Sequence, residues 1–241
     1  MQYTLEESFC VSMKIRGTGG RDDMYGTTSV QNQPADDMPD KKLLVPRYRA
    51  DITAGSLKLS ESRRIADLLL HKVDAAGWAD AIVKRNILQA RRPETARRLA
   101  QLIKSRLETL GPDIWELIRD GKGSVATHAV FAAAVKHSPL LGDFLALVVA
   151  DQYQRFGKSL SNKMFSDYLD GCRERDPLMP AWTEETCLRV RSSVFQMLAQ
   201  AGYIENTRNL KLQSVHVADP VVRCLKANRE DYVLRCLQVT P

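Results

Sequence analysis

Between Ser60 and Leu110 apolar residues return every three or four positions in three successive segments, a spacing that places them on one side of an α-helix. Ser60 is a candidate N-cap, with Glu61 in the first turn where a carboxylate favours the helix dipole. Ile65, Leu68, Leu69 and Val73 then form one apolar face, opposite Arg63, Arg64, Asp67 and His71. Gly77 separates this segment from a second, Trp78 to Gln89, with Ile82 and Val83 inward and Lys84 and Arg85 together further along. Arg91-Arg92-Pro93 punctuates the chain, and proline suits a first helical position because its missing N–H is not needed there. The third segment runs to Leu110, with Ala96, Leu99, Ala100, Ile103, Leu107 and Leu110 on one arc. Arg97, Gln101 and Lys104 line up outside that arc, and Arg106 at its edge is expected to pack by its stem.

This stretch has eleven basic and six acidic residues, so it carries +5 of the chain's +6. A compact basic three-helix unit is the electrostatic footprint of a nucleic-acid-binding module, although a solvated bundle has the same charges. Two short helices feeding a third with a basic outer stripe is the outline of a helix-turn-helix.

The other segments differ in character. Residues 1–46 are broken by Gly17, Gly19, Gly20, Gly26, Pro34, Pro39 and Pro46, have no core-forming period and no excess of basic residues, and are expected to be a disordered leader. Tyr48 to Leu59 is a lead-in, a short strand or arm against the first helix, so residues 47–110 make an N-terminal basic helix-turn-helix unit. Residues 111–157 are expected to be central apolar helices. They comprise a short helix from Asp113 to Asp120, an alanine-rich one from Ser124 to Val135, and one opened by Ser138-Pro139 that is apolar nearly all round. His128 and His137 in this region read as packed or capping residues rather than ligands.

Residues 158–241 make a C-terminal unit, with a helix from Ser159 to Cys172 and another from Trp182-Thr183 to Ala201. The second has a polar stripe of Glu185, Arg189, Ser193, Gln196 and Gln200. Arg, Ser and Gln are residue types that read base edges, but any solvated stripe is also polar. Tyr203-Ile204 and Leu210-Leu212 flank a polar loop with Arg208 and Lys211 exposed, and a helix followed by such a hairpin is the winged-helix order. Two further helices, from about Asp219 and around Tyr232, close the chain. The reading is an all-α fold: two helix-turn-helix-like units, the second winged-helix-like with a minimal hairpin, joined by apolar central helices.

Composition excludes several classes. Five scattered cysteines, without C-x-x-C or histidines at ligand spacing, point to reduced thiols and no metal. The first ten residues hold two glutamates and no apolar core, unlike a signal peptide. The most apolar run, Ser124 to Val135, falls well short of the roughly 20 residues of a membrane span, so a cytoplasmic chain without a membrane is expected. No phosphate-binding loop, H-E-x-x-H or G-x-S-x-G is present, and the carboxylates are dispersed, so no catalytic residue and no cofactor are expected. A pI near 9.1 favours acidic partners.

The stretches DITAGSLKLSESRRIADLLL, VATHAVFAAAVKHSPLLGDFL, LSNKMFSDYLDGC and RSSVFQMLAQAGYIENTRNLKLQ together resemble the BrxA family, core components of bacterial BREX phage-exclusion systems. The likeness covers about Tyr48 to Pro241. It implies an all-helical protein with two helix-turn-helix motifs that binds double-stranded DNA, alongside other BREX components such as a methyltransferase and an ATPase. The family has no catalytic residues to carry over, and its inner-membrane label is at odds with the short apolar run above. The DNA contacts expected from the residues themselves are Lys84, Arg85, Arg91, Arg92, Arg97, Gln101, Lys104, Arg189, Ser193, Gln196, Arg208 and Lys211. The chain is expected to be a monomer on its own. Two alternatives to DNA binding remain open: an adaptor docking an acidic partner, or a regulator of the defence operon.

Overall fold

The apolar spacings become helices in a computed structural model, which describes residues 45–52 and 56–239. The expected leader lies outside the described residues apart from Val45 and Pro46. Helix α1 spans Leu59–Leu70 and buries Ile65, Ala66 and Leu68. It begins two residues earlier than the sequence suggests: Lys58, in a left-handed conformation, is the N-cap in place of Ser60, and no side-chain hydrogen bond caps the helix among the described residues. Each fully buried leucine or isoleucine contributes about 1.5–3 kcal/mol of burial free energy.

Helix α2 spans Ala75–Ala79, started by Asp74, whose side chain accepts from the Gly77 N–H. It continues as a π-turn over Asp80–Lys84 and stops there, five residues before the expected Gln89. The extra residue of a π-turn is invisible to a 3.6-residue count. Beyond it, Asn86 and Gln89 take left-handed conformations that no helix can continue through. Helix α3, Pro93–Leu107, has proline in its first turn and packs against α1. The connection from Arg85 to Arg92 is longer than the 3–4 residues of a tight helix-turn-helix.

Helices α4 (Pro112–Asp120), α5 (Ser124–His137) and α6 (Pro139–Gln154) follow. Every residue of α5 from His128 to Val135 is buried, as a stretch apolar all round requires. In α6 a π-turn over Leu145–Val149 rotates the later side chains, leaving Leu147 half exposed although the sequence placed it in the core. Among the described residues no single helix is long and apolar enough to cross a membrane; α5 and α6 together reach that length and composition but are bent by 105° at the break between them.

Helices α7 (Asn162–Arg175) and α8 (Glu184–Gln200) start on Ser161 and Thr183, whose hydroxyls accept from the Met164 and Thr186 N–H groups. Phe144 of α6 meets Phe165 and Tyr168 of α7 at 5.2 Å and Phe195 of α8 at 6.2 Å, fixing both helices on the centre. Helices α9 (Asp219–Ala227) and α10 (Asp231–Leu237) close the described chain. No strand forms among the described residues. The expected hairpin is reduced to isolated antiparallel bridges, Ile204 with Leu212 and Ser159 with Lys211. The described residues belong to one compact unit, and one apolar cluster runs from Tyr48 through Phe131 to Leu237.

Candidate nucleic-acid interface

The segment from α2 to α3 holds the cations that the sequence singles out, and local hydrogen bonds decide which are free. Asp80 sits at the start of the π-turn, with its carboxylate 2.9 Å from Arg85 Nε and 3.8 Å from Lys84 Nζ. Both expected contacts are therefore partly neutralised by their own turn. Asn86 closes the next loop from both sides: its Nδ2 donates to Ala90 O at 2.9 Å and its Oδ1 accepts from Ala90 N at 3.0 Å. Arg64 reinforces this by donating to Ile87 O.

Arg91 and Arg92 leave that loop exposed, and Arg92 is extended, as a residue before proline must be. Arg97, Arg98 and Gln101 are exposed on α3. Arg91, Arg92, Arg97 and Arg98 have no carboxylate partner among the described residues. Arg97, Arg98 and Gln101 rim an open cleft of about 450 Å³ with Trp78, Ala79, Ile82 and Val83. Lys104 lies 4.8 Å from the Trp78 ring centre and 3.7 Å from Glu108, so it is less free than its neighbours. Sequence spacing does not single out Arg98 or Trp78, because their positions are outside a stripe counted from Arg97.

A second groove of about 640 Å³ runs between α1 and the π-turn, lined by Arg63, Arg64, Arg85 and Asn86 among others. Arg63 and Arg64 are spent on backbone carbonyls and Arg85 on Asp80. Arg63 donates to Arg119 O at 2.7 Å and Gly121 O at 2.5 Å, closing the C-terminal end of α4.

The C-terminal candidates divide. On α8, Arg189 is held by Glu185 at 2.5 Å one turn away. Ser193 is a correction to the expected exposed stripe: it is buried, and its hydroxyl donates to Arg189 O at 2.9 Å. An i−4 carbonyl satisfies that hydroxyl and removes the need for solvent. Gln196 is exposed. Gln200 turns to the N-terminal lead-in, where its Oε1 accepts from Leu57 N at 2.8 Å. In the following loop Asn206 Oδ1 accepts from the Arg208 and Asn209 N–H groups, and Asn209 Oδ1 from the Lys211 N–H. Those side-chain turns hold Arg208 and Lys211 exposed with no carboxylate partner among the described residues.

Two buried polar clusters could be mistaken for chemistry. Asp143 on α6 accepts from Arg47 Nη2, Tyr48 OH and Tyr232 OH, each at 2.8 Å. Its oxygens are saturated by protein donors, so it fastens the lead-in and α10 to the centre. Arg106 is a correction to the expected edge position. It is 2 % exposed, with Nε and Nη2 unpaired among the described residues. Burial pushes its pKa down to about 10 against the opposing pull of Asp51. Asp51, whose carboxyl burial raises, accepts from Ser138 Oγ at 2.9 Å. Among the described residues no group of three His, Cys, Asp or Glu is placed to hold a metal ion.

Residues 46–229 match the BrxA family. The chain belongs to it. BREX protein BrxA of Paramagnetospirillum magneticum is 50 % identical over 195 residues, 81 % of this chain and 98 % of that one. BREX protein BrxA of Escherichia coli O9:H4 is 35 % identical over 167 residues, 69 % of this chain and 78 % of that one. A crystal structure of an uncharacterized protein from Magnetospirillum magneticum is 48 % identical, with a TM-score of 0.76, over 81 % of this chain and all of that one. The BrxA match opens at Pro46, immediately before the Arg47 and Tyr48 that dock on Asp143, and it includes every expected contact residue from Lys84 to Lys211.

Proposed function

We propose that this chain is a non-catalytic, duplex-DNA-binding component of a BREX phage-defence system, working in the cytoplasm as a monomer beside partners such as a methyltransferase and an ATPase. The observation that carries the reading is the run of four exposed arginines, Arg91, Arg92, Arg97 and Arg98, without carboxylate partners among the described residues. Unpaired guanidinium groups on a loop and the helix that follows suit phosphate oxygens, whose neutralisation supplies most non-specific affinity. The loop cations Arg208 and Lys211 form a second contact, and Gln196 is the base-reading candidate left exposed on α8. The family relation supports the BREX assignment, since both relatives are BREX proteins by name.

The test is an anisotropy titration of the purified chain against duplex DNA at several salt concentrations. Log K is expected to fall with log salt at about −0.9 per neutralised phosphate. A flat response removes the electrostatic reading. A second reading, an adaptor docking an acidic partner, is favoured by the apolar floor of Trp78, Ile82 and Val83 beneath Arg97 and Arg98. Under that reading the chain alone does not bind duplex DNA even at low salt.

A further inference from the structure

Helix α6 ends in a doubly hydrogen-bonded turn whose key position is occupied by a residue that physics disfavours there. The Gly157 N–H donates to Gln152 O at 2.7 Å and the Phe156 N–H to Tyr153 O at 3.1 Å. This is the Schellman pattern, in which the left-handed residue is usually glycine. Here it is Phe156, at φ 56°, with the glycine one place later. Phe156 gains nothing from the fold in return: it is 90 % exposed, far above any other large apolar side chain described. Leu210, the other apolar residue with a positive φ, is buried. A strained backbone presenting a bare ring to solvent points to a use outside the fold.

The surroundings of the ring indicate its partner. Residues 158–160 run antiparallel to 210–212, with Leu160 N donating to Leu210 O and Leu212 N to Lys158 O, both at 2.9 Å. That pairing holds Lys158, two residues after Phe156, against the segment that carries Lys211 and closes the loop of Arg208. Lys158, Arg208 and Lys211 are all exposed and without a carboxylate partner among the described residues, while Arg155 is paired with Asp151 at 2.8 Å. An exposed apolar ring on a segment paired to one with exposed cations, unpartnered by carboxylates among the described residues, matches the way minor-groove proteins hold phosphates and drive a wedge between base steps. A surface for apolar protein docking would continue in apolar neighbours, whereas Phe156 is flanked by Arg155, Gly157 and Lys158.

We infer that Phe156 is a stacking wedge that inserts between bases of the bound duplex, with Lys158, Arg208 and Lys211 holding the flanking phosphates. The inference rests on the DNA-binding reading above. It is tested with the full chain and a duplex carrying 2-aminopurine, comparing wild type, Phe156→Gly and Phe156→Trp. Wild type is expected to change the 2-aminopurine fluorescence on binding, because an inserted ring disturbs stacking. Phe156→Gly relieves the backbone strain and should unfold at a higher temperature, yet bind duplex about tenfold more weakly and without the fluorescence change. Phe156→Trp should retain both binding and signal. A Phe156→Gly protein that binds as wild type does, with the same fluorescence response, overturns the wedge and leaves DNA binding standing. So does unchanged binding accompanied by a shift in gel-filtration volume, which assigns the ring to contacts between copies. No duplex binding by wild type at low salt overturns the DNA reading itself, and the wedge with it.

Discussion

Asp143 accepts three donors from residues about ninety positions away in either direction, and the low exposure of its carboxylate makes their loss expensive. Removing one partner of a buried charged cluster leaves the others unsatisfied, at about 3 kcal/mol or more. Asp143→Ala should lower the unfolding temperature strongly, while Asp143→Asn, which keeps one acceptor, should lower it less; equal temperatures for all three proteins would show the cluster is incidental. His128 gives a pH-dependent counterpart. Its Nδ1 accepts from Ala218 N at 3.0 Å, so the neutral ring is the form built into the fold. Burial lowers its pKa, and His216 lowers it further. The unfolded chain therefore takes up this proton first as pH falls. The stability tied to the neutral ring is complete above about pH 6.5 and declines as pH falls below it, towards the lowered folded value. Thermal melts from about pH 7.5 down to about pH 5 should show that decline, and it should be shallower in His128→Gln.

At the scale of helices, the two candidate DNA-reading elements make opposite forecasts. Arg97 and Arg98 on α3 have no carboxylate partner among the described residues, so Arg97→Glu with Arg98→Glu should weaken binding to every duplex alike and reduce the salt slope by roughly one for each phosphate that is no longer neutralised. Circular dichroism should stay helical because both side chains are exposed. Arg189 on α8 is already held by Glu185, so Arg189→Ala with Gln196→Ala should leave binding to random duplex nearly unchanged. If that second pair loses all affinity and the first binds normally, the interface belongs to α8. Sequence periodicity is sufficient to locate α1, α3, α5 and α8, because their buried residues recur at helical spacing. It cannot reveal the π-turns at Asp80–Lys84 and Leu145–Val149, where one inserted residue resets the phase and moves Leu147 into solvent. The exposed arginines are legible as charges, but which of them are neutralised depends on neighbours such as Asp80 and Glu185. Ser193 and Arg106 escape the sequence reading for a related reason: packing from distant segments, not the helix's own stripe, decides what is covered.

On the scale of the whole molecule, the N-terminal lead-in acts as a strap whose attachment points set how much of the chain can be removed. Tyr48 is 1 % exposed; its N–H donates to Asp176 Oδ2 at 3.1 Å, its hydroxyl to Asp143 at 2.8 Å, and the Arg175 guanidinium lies 5.9 Å from its ring. Arg47 adds its ion pair to Asp143 at 2.8 Å. A chain beginning at Val45 keeps all of these, and residues 1–44 contain no apolar period, so its unfolding temperature and duplex affinity should match those of the full chain. A chain beginning at Ala50 loses them together. Emptying the Tyr48 site should cost about 3 kcal/mol, as loss of a large buried aromatic does, and Asp143 and Asp176 are left short of donors besides. For a chain of this size that corresponds to a fall of about 10 °C in the unfolding temperature, readable in a single calorimetric scan of each protein. If the chain beginning at Val45 shows most of that fall, residues 1–44 contribute to the fold; if neither shows it, the strap is not what joins α6, α7 and α10.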